Sequence, residues 1–376
     1  MNFERKSYES YISSKSGDFA ELGTQAFVLT PIIFNMKYLY SIILTFLILS
    51  CERDHIDLTC QNSFENASKL NGLNIYSAQL NSTNNTNVLG NSISLVGILS
   101  TSKDYFNHSF EIKDYQIDES ITNYKQGLEN TLPNTLIMLR PLVDFGGIPY
   151  RGDFYLETED HWQIFENSYK KLILKIAELS NTHPIDLLCI GTELREFVKR
   201  RPLFWESLIE TLKEEYPALK LIYAANWDDY EAFPFWEEMN YIEIDSYFPL
   251  VNKPTPTVEE LIAAYSPIKN NIRNFSCQHD KKIVFTEYGF RSIDYAAWKS
   301  WELPGTAVAT TYNFTVQSNG YEAFYKSFWD EPWVAGGFLW IWNLFKTELS
   351  TDPMLLNHWD PNFKPAESVI AHYYTE

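Results

Sequence analysis

The sequence predicts an α/β chain whose main body is a single closed barrel of eight parallel strands and helices, with an irregular first repeat. Three observations carry this expectation. From about residue 117 onward, short apolar runs alternate with longer segments of helical period. Two of the runs, Leu187-Leu188-Cys189-Ile190-Gly191-Thr192-Glu193-Leu194 and Ile283-Val284-Phe285-Thr286-Glu287-Tyr288-Gly289, open on unbroken apolar residues and close on the same Thr-Glu pair. Strands of that kind are covered on both faces, as in a parallel sheet flanked by helices. The length of 376 residues holds one barrel of about 250 residues with insertions, and a hydrophobic content of 45 % supplies a large core.

The elements follow in order. Residues 1–35 show no strong period and read as an extension ahead of a natural start at Met36. Residues 36–50 carry Lys37 and then the apolar stretch Ile42 to Leu49, too short to span a bilayer. This resembles a bacterial lipoprotein signal with Ile48-Leu49-Ser50-Cys51 as its lipobox. The resemblance implies a lipid on Cys51, membrane contact through that anchor only, and a periplasmic or cell-surface location. Residues 51–70 read as a polar tether, and 71–376 as the barrel. Gly72–Tyr76 and Ser92–Leu99 are the first strands, separated by an Asn/Ser/Thr-rich loop. A helix near 117–130 leads to the strand Thr135–Arg140, which Pro141 is expected to end. The glycine-bearing loop from Asp144 to Phe154 is placed to line a cleft.

Trp162, Phe165, Tyr169, Leu172, Ile173, Ile176 and Leu179 recur at helical spacing and mark one buried face. After the Glu193 strand, Pro202 opens a helix. The strands Lys220–Trp227 and Tyr241–Tyr247 come next, then a helix carrying Val258, Leu261, Ile262, Tyr265, Ile268 and Ile272, then the Glu287 strand. Residues 292–318 read as a long connection, 319–329 as a helix, and Gly336–Asn343 as the last strand.

Net charge is −19, and all of it lies beyond residue 50. An acidic body repels phosphate backbones, so nucleic acid is not an expected partner; a neutral polymer is compatible, and a monomer is expected. The four cysteines (51, 60, 189, 277) match neither a zinc site nor a disulfide framework. Cys189, inside an apolar run, reads as a buried thiol. There is no His-Glu-x-x-His, phosphate loop or Gly-x-Ser-x-Gly elbow. No metal and no cofactor are expected.

Barrel enzymes carry their chemistry at the C-terminal ends of the strands. Glu193 and Glu287 stand there on strands four and seven, across the mouth from each other. Two carboxyls so placed are the minimum for cleaving a glycosidic bond, one giving a proton to the leaving oxygen and one attacking carbon. Tyr247, at the tip of strand six, is placed to donate a hydrogen bond that keeps Glu287 anionic. Asn226 and Trp227 end strand five, and Trp340 or Trp342 is placed to floor a sugar site. The aromatic fraction of 16 % suits stacking on sugar rings, although most of these rings fill cores.

Several ordered motifs also resemble a known family. Cys189-Ile190-Gly191-Thr192-Glu193-Leu194, Arg201-Pro202-x-Phe204-Trp205, Ala224-Ala225-Asn226-Trp227-Asp228, Asp245-Ser246-Tyr247-Phe248-Pro249-Leu250, Phe285-Thr286-Glu287-Tyr288-Gly289-Phe290-Arg291-Ser292 and Lys364-Pro365-Ala366-Glu367 are similar to glycoside hydrolase family 113. That resemblance implies a TIM barrel and a retaining endo-β-1,4-mannanase without a cofactor, with Glu193 as acid/base and Glu287 as nucleophile. Its substrate would be a β-linked polysaccharide or oligosaccharide. The competing expectations are the same chemistry on glucan or xylan, and a surface glycan-binding protein without turnover. The sequence departs from the family's pattern in three places. Residues 72–110 match poorly, Thr192 stands where an Asn usually precedes the acid/base, and Arg140 stands where a Lys is expected before Pro141.

Overall fold

The computed structural model describes residues 64, 68–80, 89–102, 110–302 and 312–375. The expected extension, signal segment, Cys51 and nearly all of the tether lie outside them. Among the described residues no helix is long and apolar enough to cross a membrane.

Eight parallel strands close in sequence order into one barrel. They are β1 (Leu70–Tyr76), β2 (Ser92–Ser102), β3 (Leu136–Gly146), β4 (Leu187–Thr192), β5 (Lys220–Asn226), β6 (Ile242–Asp245), β7 (Ile283–Tyr288) and β8 (Val334–Leu339). Pairing of Leu70–Leu73 with Gly336–Leu339 makes the closure. The helices are α1 (Asp114–Glu129), α2 (Glu159–Ala177), α3 (Arg195–Arg200), α4 (Pro202–Glu215), α5 (Val258–His279), α6 (Phe314–Phe328), α7 (Pro353–Leu356) and α8 (Pro365–Thr375). Between β1 and β2 the described residues hold only a 3-10 turn, Ser77–Gln79. The irregular first repeat is therefore present.

Helix boundaries follow local chemistry. At the start of α5 the Thr257 hydroxyl accepts from the Glu260 amide while the Glu260 carboxylate accepts from the Thr257 amide, a reciprocal cap. Pro202 is the first residue of α4, where its missing N–H costs nothing. The seven apolar positions expected on α2 and its extension are all buried.

Two apolar layers result. One lies between strands and helices; the other fills the lower barrel with Met138, Leu187, Cys189, Ile222, Ala224, Val284 and Phe338. Above that plug the inward positions turn polar, and the site begins there.

The structure corrects several expectations. Pro141 does not end its strand, because β3 runs on to Gly146. Pairing of β3 with β4 stops at Leu139, which leaves that edge of β3 unpaired at the position where a residue lacking an N–H is tolerated. The strand β8 ends at Leu339, before either tryptophan, and α6 begins at Phe314 rather than 319. Cys277, on α5, is disulfide-bonded, so the cysteines do include a cross-link. Cys189 is buried and free.

Candidate active site

Both glutamates reach the mouth through irregular backbone. Glu193 follows directly after β4 with φ of +53°, a left-handed conformation that costs a non-glycine residue of order 1–3 kcal/mol and clusters at functional sites. Its amide donates to the Ala224 carbonyl at 2.8 Å, which anchors the turn to β5. Gly191 lets this happen: a Cβ there would sit 2.7 Å from the Trp205 ring of α4 and 2.9 Å from Tyr223. On β7, pairing slips register against both β6 and β8. Regular alternation would send Thr286 and Glu287 to opposite faces. Here the Thr286 hydroxyl donates to Asp245 Oδ1 at 2.8 Å while Glu287 Oε1 meets Arg140 Nη2 at 2.7 Å, so consecutive side chains serve one cluster.

Arg140, on β3, is the centre of that cluster and is fully buried. Its guanidinium donates to Asp245 Oδ2 at 3.0 Å, to the Thr286 carbonyl at 3.1 Å, and from Nε to Thr192 Oγ1 at 3.3 Å. The Tyr247 hydroxyl donates to the other Glu287 oxygen, Oε2, at 2.6 Å. Glu287 thus has a cation on one oxygen and a phenol on the other, both charge-assisted contacts. Burial pushes Asp245 up to about 7 against the pull of Arg140.

Glu193 sits differently. Burial pushes its carboxyl up to about 8, against Arg151, while the charges of Asp245 and Glu287 add to the rise. Its contact with a cation is the looser one, Arg151 Nη1 to Oε2 at 3.4 Å. Arg151 comes from the short turn Arg151–Asp153 in the loop after β3, and its other nitrogen binds Asp144 Oδ1 at 2.8 Å. The raised Glu193 carboxyl holds its proton at neutral pH, as a general acid requires.

The aromatic positions divide. Trp340 is half-buried at the mouth, edge-on to Tyr76 with centroids 6.0 Å apart. Trp342 is only 3 % exposed and packs in the main core, whereas Trp340 is the more exposed of the two. Trp227 is half-buried and stacks on Trp301 at 5.7 Å. Asn226 is also half-buried, and its amide donates to Asp228 at 2.9 Å. Sequence reasoning assigned no role to Arg140, Asp245, Arg151 or Tyr76. The only available signal was Arg140 standing out as a departure from the family's pattern.

Other quoted motifs are scaffold. Arg201 forks onto Glu159 and Glu166 of α2, and Trp205 packs against Gly191. Lys364 donates to Ser292 Oγ at 3.0 Å and to the His358 carbonyl at 2.9 Å, tying the start of α8 to the loop after β7. Among the described residues no group of three or more His, Cys, Asp or Glu is arranged to hold a metal ion.

A β/α barrel with paired carboxyls at the C-terminal mouth is the architecture of a barrel glycoside hydrolase. Residues 79–353 match the model of Glycoside Hydrolase Family 113, and the chain belongs to that family. Among solved structures it is similar to the GH113 β-mannanase of Alicyclobacillus acidocaldarius in complex with ManMIm. The two share 18 % identity at a TM-score of 0.62, over 82 % of this chain and 98 % of that one. Two further structures described as GH113 β-1,4-mannanase are 18 % and 20 % identical, with TM-scores of 0.61 and 0.58. They cover 82 % and 76 % of this chain and 100 % and 88 % of their own. At these identities the likeness is one of fold. A search of the curated proteins found no match.

Proposed function

We propose that the protein is a retaining endo-glycosidase that hydrolyses β-1,4-mannosidic bonds of mannan or manno-oligosaccharides by double displacement. The unequal environments of Glu193 and Glu287 carry this reading. Glu193 protonates the leaving oxygen as Glu287 attacks the anomeric carbon, giving a glycosyl-enzyme. Glu193, now a carboxylate, takes a proton from water, and the water displaces Glu287. Two inversions retain configuration. Trp340 supports one sugar ring in this scheme, and Asn226 and Trp227 line the cleft. The choice of mannan rests on family membership and on the mannanases of like fold.

The test uses wild type, Glu193→Ala and Glu287→Ala, with mannan, glucan and xylan side by side and an activated aryl mannoside. Wild type should release β-configured ends from mannan first. Azide should rescue Glu193→Ala with a β-glycosyl azide, because azide needs no base, and should give an α-product with Glu287→Ala. Exchanged products reverse the two roles, and wild-type activity in both variants sinks the mechanism.

For location we propose a lipid anchor at Cys51. The disulfide at Cys277 supports an oxidising compartment, as expected of an exported protein. Labelled fatty acid should enter the wild type and not Cys51→Ala; equal labelling of both, or of neither, overturns the anchor.

A further inference from the structure

Arg195, two residues past Glu193 and first in α3, binds segments that follow two other strands. Its Nη2 meets Asp153 Oδ1 at 2.5 Å in the loop after β3, and its Nη1 meets Asp228 Oδ2 at 3.5 Å just after β5. Its guanidinium carbon also lies 5.0 Å from the centre of the Tyr150 ring, a cation–π contact. The other support of that ring is Gly152, where a Cβ would stand 2.3 Å from the ring edge. An exposed ion pair alone holds little. Here one planar fork engages two loops and a ring at once.

The contacts bracket Arg151. Tyr150 before it and Asp153 after it are both fastened to Arg195. The turn between them is closed by the Asp153 amide donating to the Tyr150 carbonyl at 3.0 Å. With both ends of its turn tied to the segment that follows Glu193, Arg151 is held where its Nη1 reaches Glu193 Oε2 at 3.4 Å. Arg195 itself has no hydrogen bond or ion pair with either catalytic glutamate among those found.

We propose that Arg195 is a positioning residue that, through Tyr150 and Asp153, sets the distance between Arg151 and the acid/base Glu193. The inference rests on the glycosidase reading above. The charged and titratable groups facing Arg195 are Asp153 and Tyr150 from the loop after β3, and Asp228 and Asp229 from the turn after β5. Those facing Glu193 are Arg151, Arg140, Asp245, Glu287, Tyr150 and Tyr247. Arg151 favours the ionised form of Glu193, so a looser Arg151 leaves the proton on Glu193 to higher pH.

The experiment is a cycle in the full chain: wild type, Arg195→Met, Arg151→Met and the double variant. Each is assayed for kcat/KM against pH with an aryl glycoside whose leaving group needs protonation. Arg195→Met should move the alkaline limb up by about half a pH unit in the wild-type background and not at all in the Arg151→Met background. A rise of the same size in both backgrounds is a direct charge effect and overturns the proposal. So does a limb that stays put while the melting temperature falls, the outcome of a merely structural role. If Arg195→Met does not fold, Asp153→Asn, at an exposed position, takes its place. Loss of that anion alone would favour ionised Glu193 and lower the limb, whereas release of Arg151 raises it; a limb that falls or stays put overturns the proposal. If wild type cleaves no glycoside, the glycosidase reading fails. The bracket is then tested on the Glu193 carboxyl itself, by carbon-13 NMR titration of protein labelled at the glutamate carboxyls, with the signal assigned by its loss in Glu193→Gln. The same cycle applies, and equal shifts in both backgrounds, or none, overturn the bracket.

Discussion

Arg151 stands between two carboxylates, and its charge should set where the enzyme loses activity on the alkaline side. It lies 3.4 Å from Glu193 and 2.8 Å from Asp144. The charged or titratable groups around Glu193 are Arg151, Arg140, Asp245, Glu287, Tyr150 and Tyr247. In the proposed mechanism Glu193 must be protonated to act as acid, so kcat/KM should fall as pH rises through its value of about 8. A unit charge at that distance interacts by about 5 kcal/mol at an effective dielectric of about 20, a ceiling of roughly 3–4 pH units. Asp144 cancels much of this, and water reaches Arg151 (20 % exposed) and Glu193 (13 %). We expect about one unit once that screening is included. Arg151→Met removes a cation that favours ionised Glu193, so the limb should move up. Asp144→Asn, at an exposed position, leaves Arg151 uncancelled, so the limb should move down. The assay is kcat/KM against pH with an aryl glycoside whose leaving group needs protonation. A leaving group that needs none serves as control, since its glycosylation step should lack this limb. Limbs that stay put in both variants, or move in the same direction, would refute the argument.

Tyr247→Phe removes the 2.6 Å donor to Glu287. Turnover should drop about 10- to 100-fold, the scale of one lost charge-assisted bond; an unchanged rate removes Tyr247 from the mechanism. Arg140→Lys keeps the charge but replaces a fork with a point donor. We expect kcat to fall at least about tenfold. Thr192→Asn added to it should recover part of that loss, because Arg140 and Thr192 touch and both depart from the family's pattern; strictly additive losses in the double variant refute the coupling. Folding linkage gives the fourth test. A carboxyl raised from 4.5 to about 8 holds its proton in the folded state where the unfolded chain has released it. Its contribution to stability is therefore lost as pH rises through that window. Urea midpoints should show Glu193→Gln gaining on wild type between about pH 5 and about pH 8; parallel curves contradict the raised value.

The barrel was legible because its strands are covered on both faces and so leave apolar runs that need no knowledge of their partners. The two glutamates were legible for the same reason, since each ends such a run, and Tyr247 because it follows one. Arg140 was not. It sits inside a strand before a proline, and its partners Asp245 and Thr286 lie 105 and 146 residues away. Asp245 looked like any strand-end acid, and Arg151 like any loop base. The local pattern also left the two tryptophans after β8 undivided, whereas the structure seats Trp342 in the core and leaves Trp340 at the mouth. The sequence by itself determined which residues end the strands, because burial imposes a pattern on each strand alone. Only the closed barrel decided which of those ends share a cation, because charge pairing depends on distance in space and leaves no periodic trace along the chain.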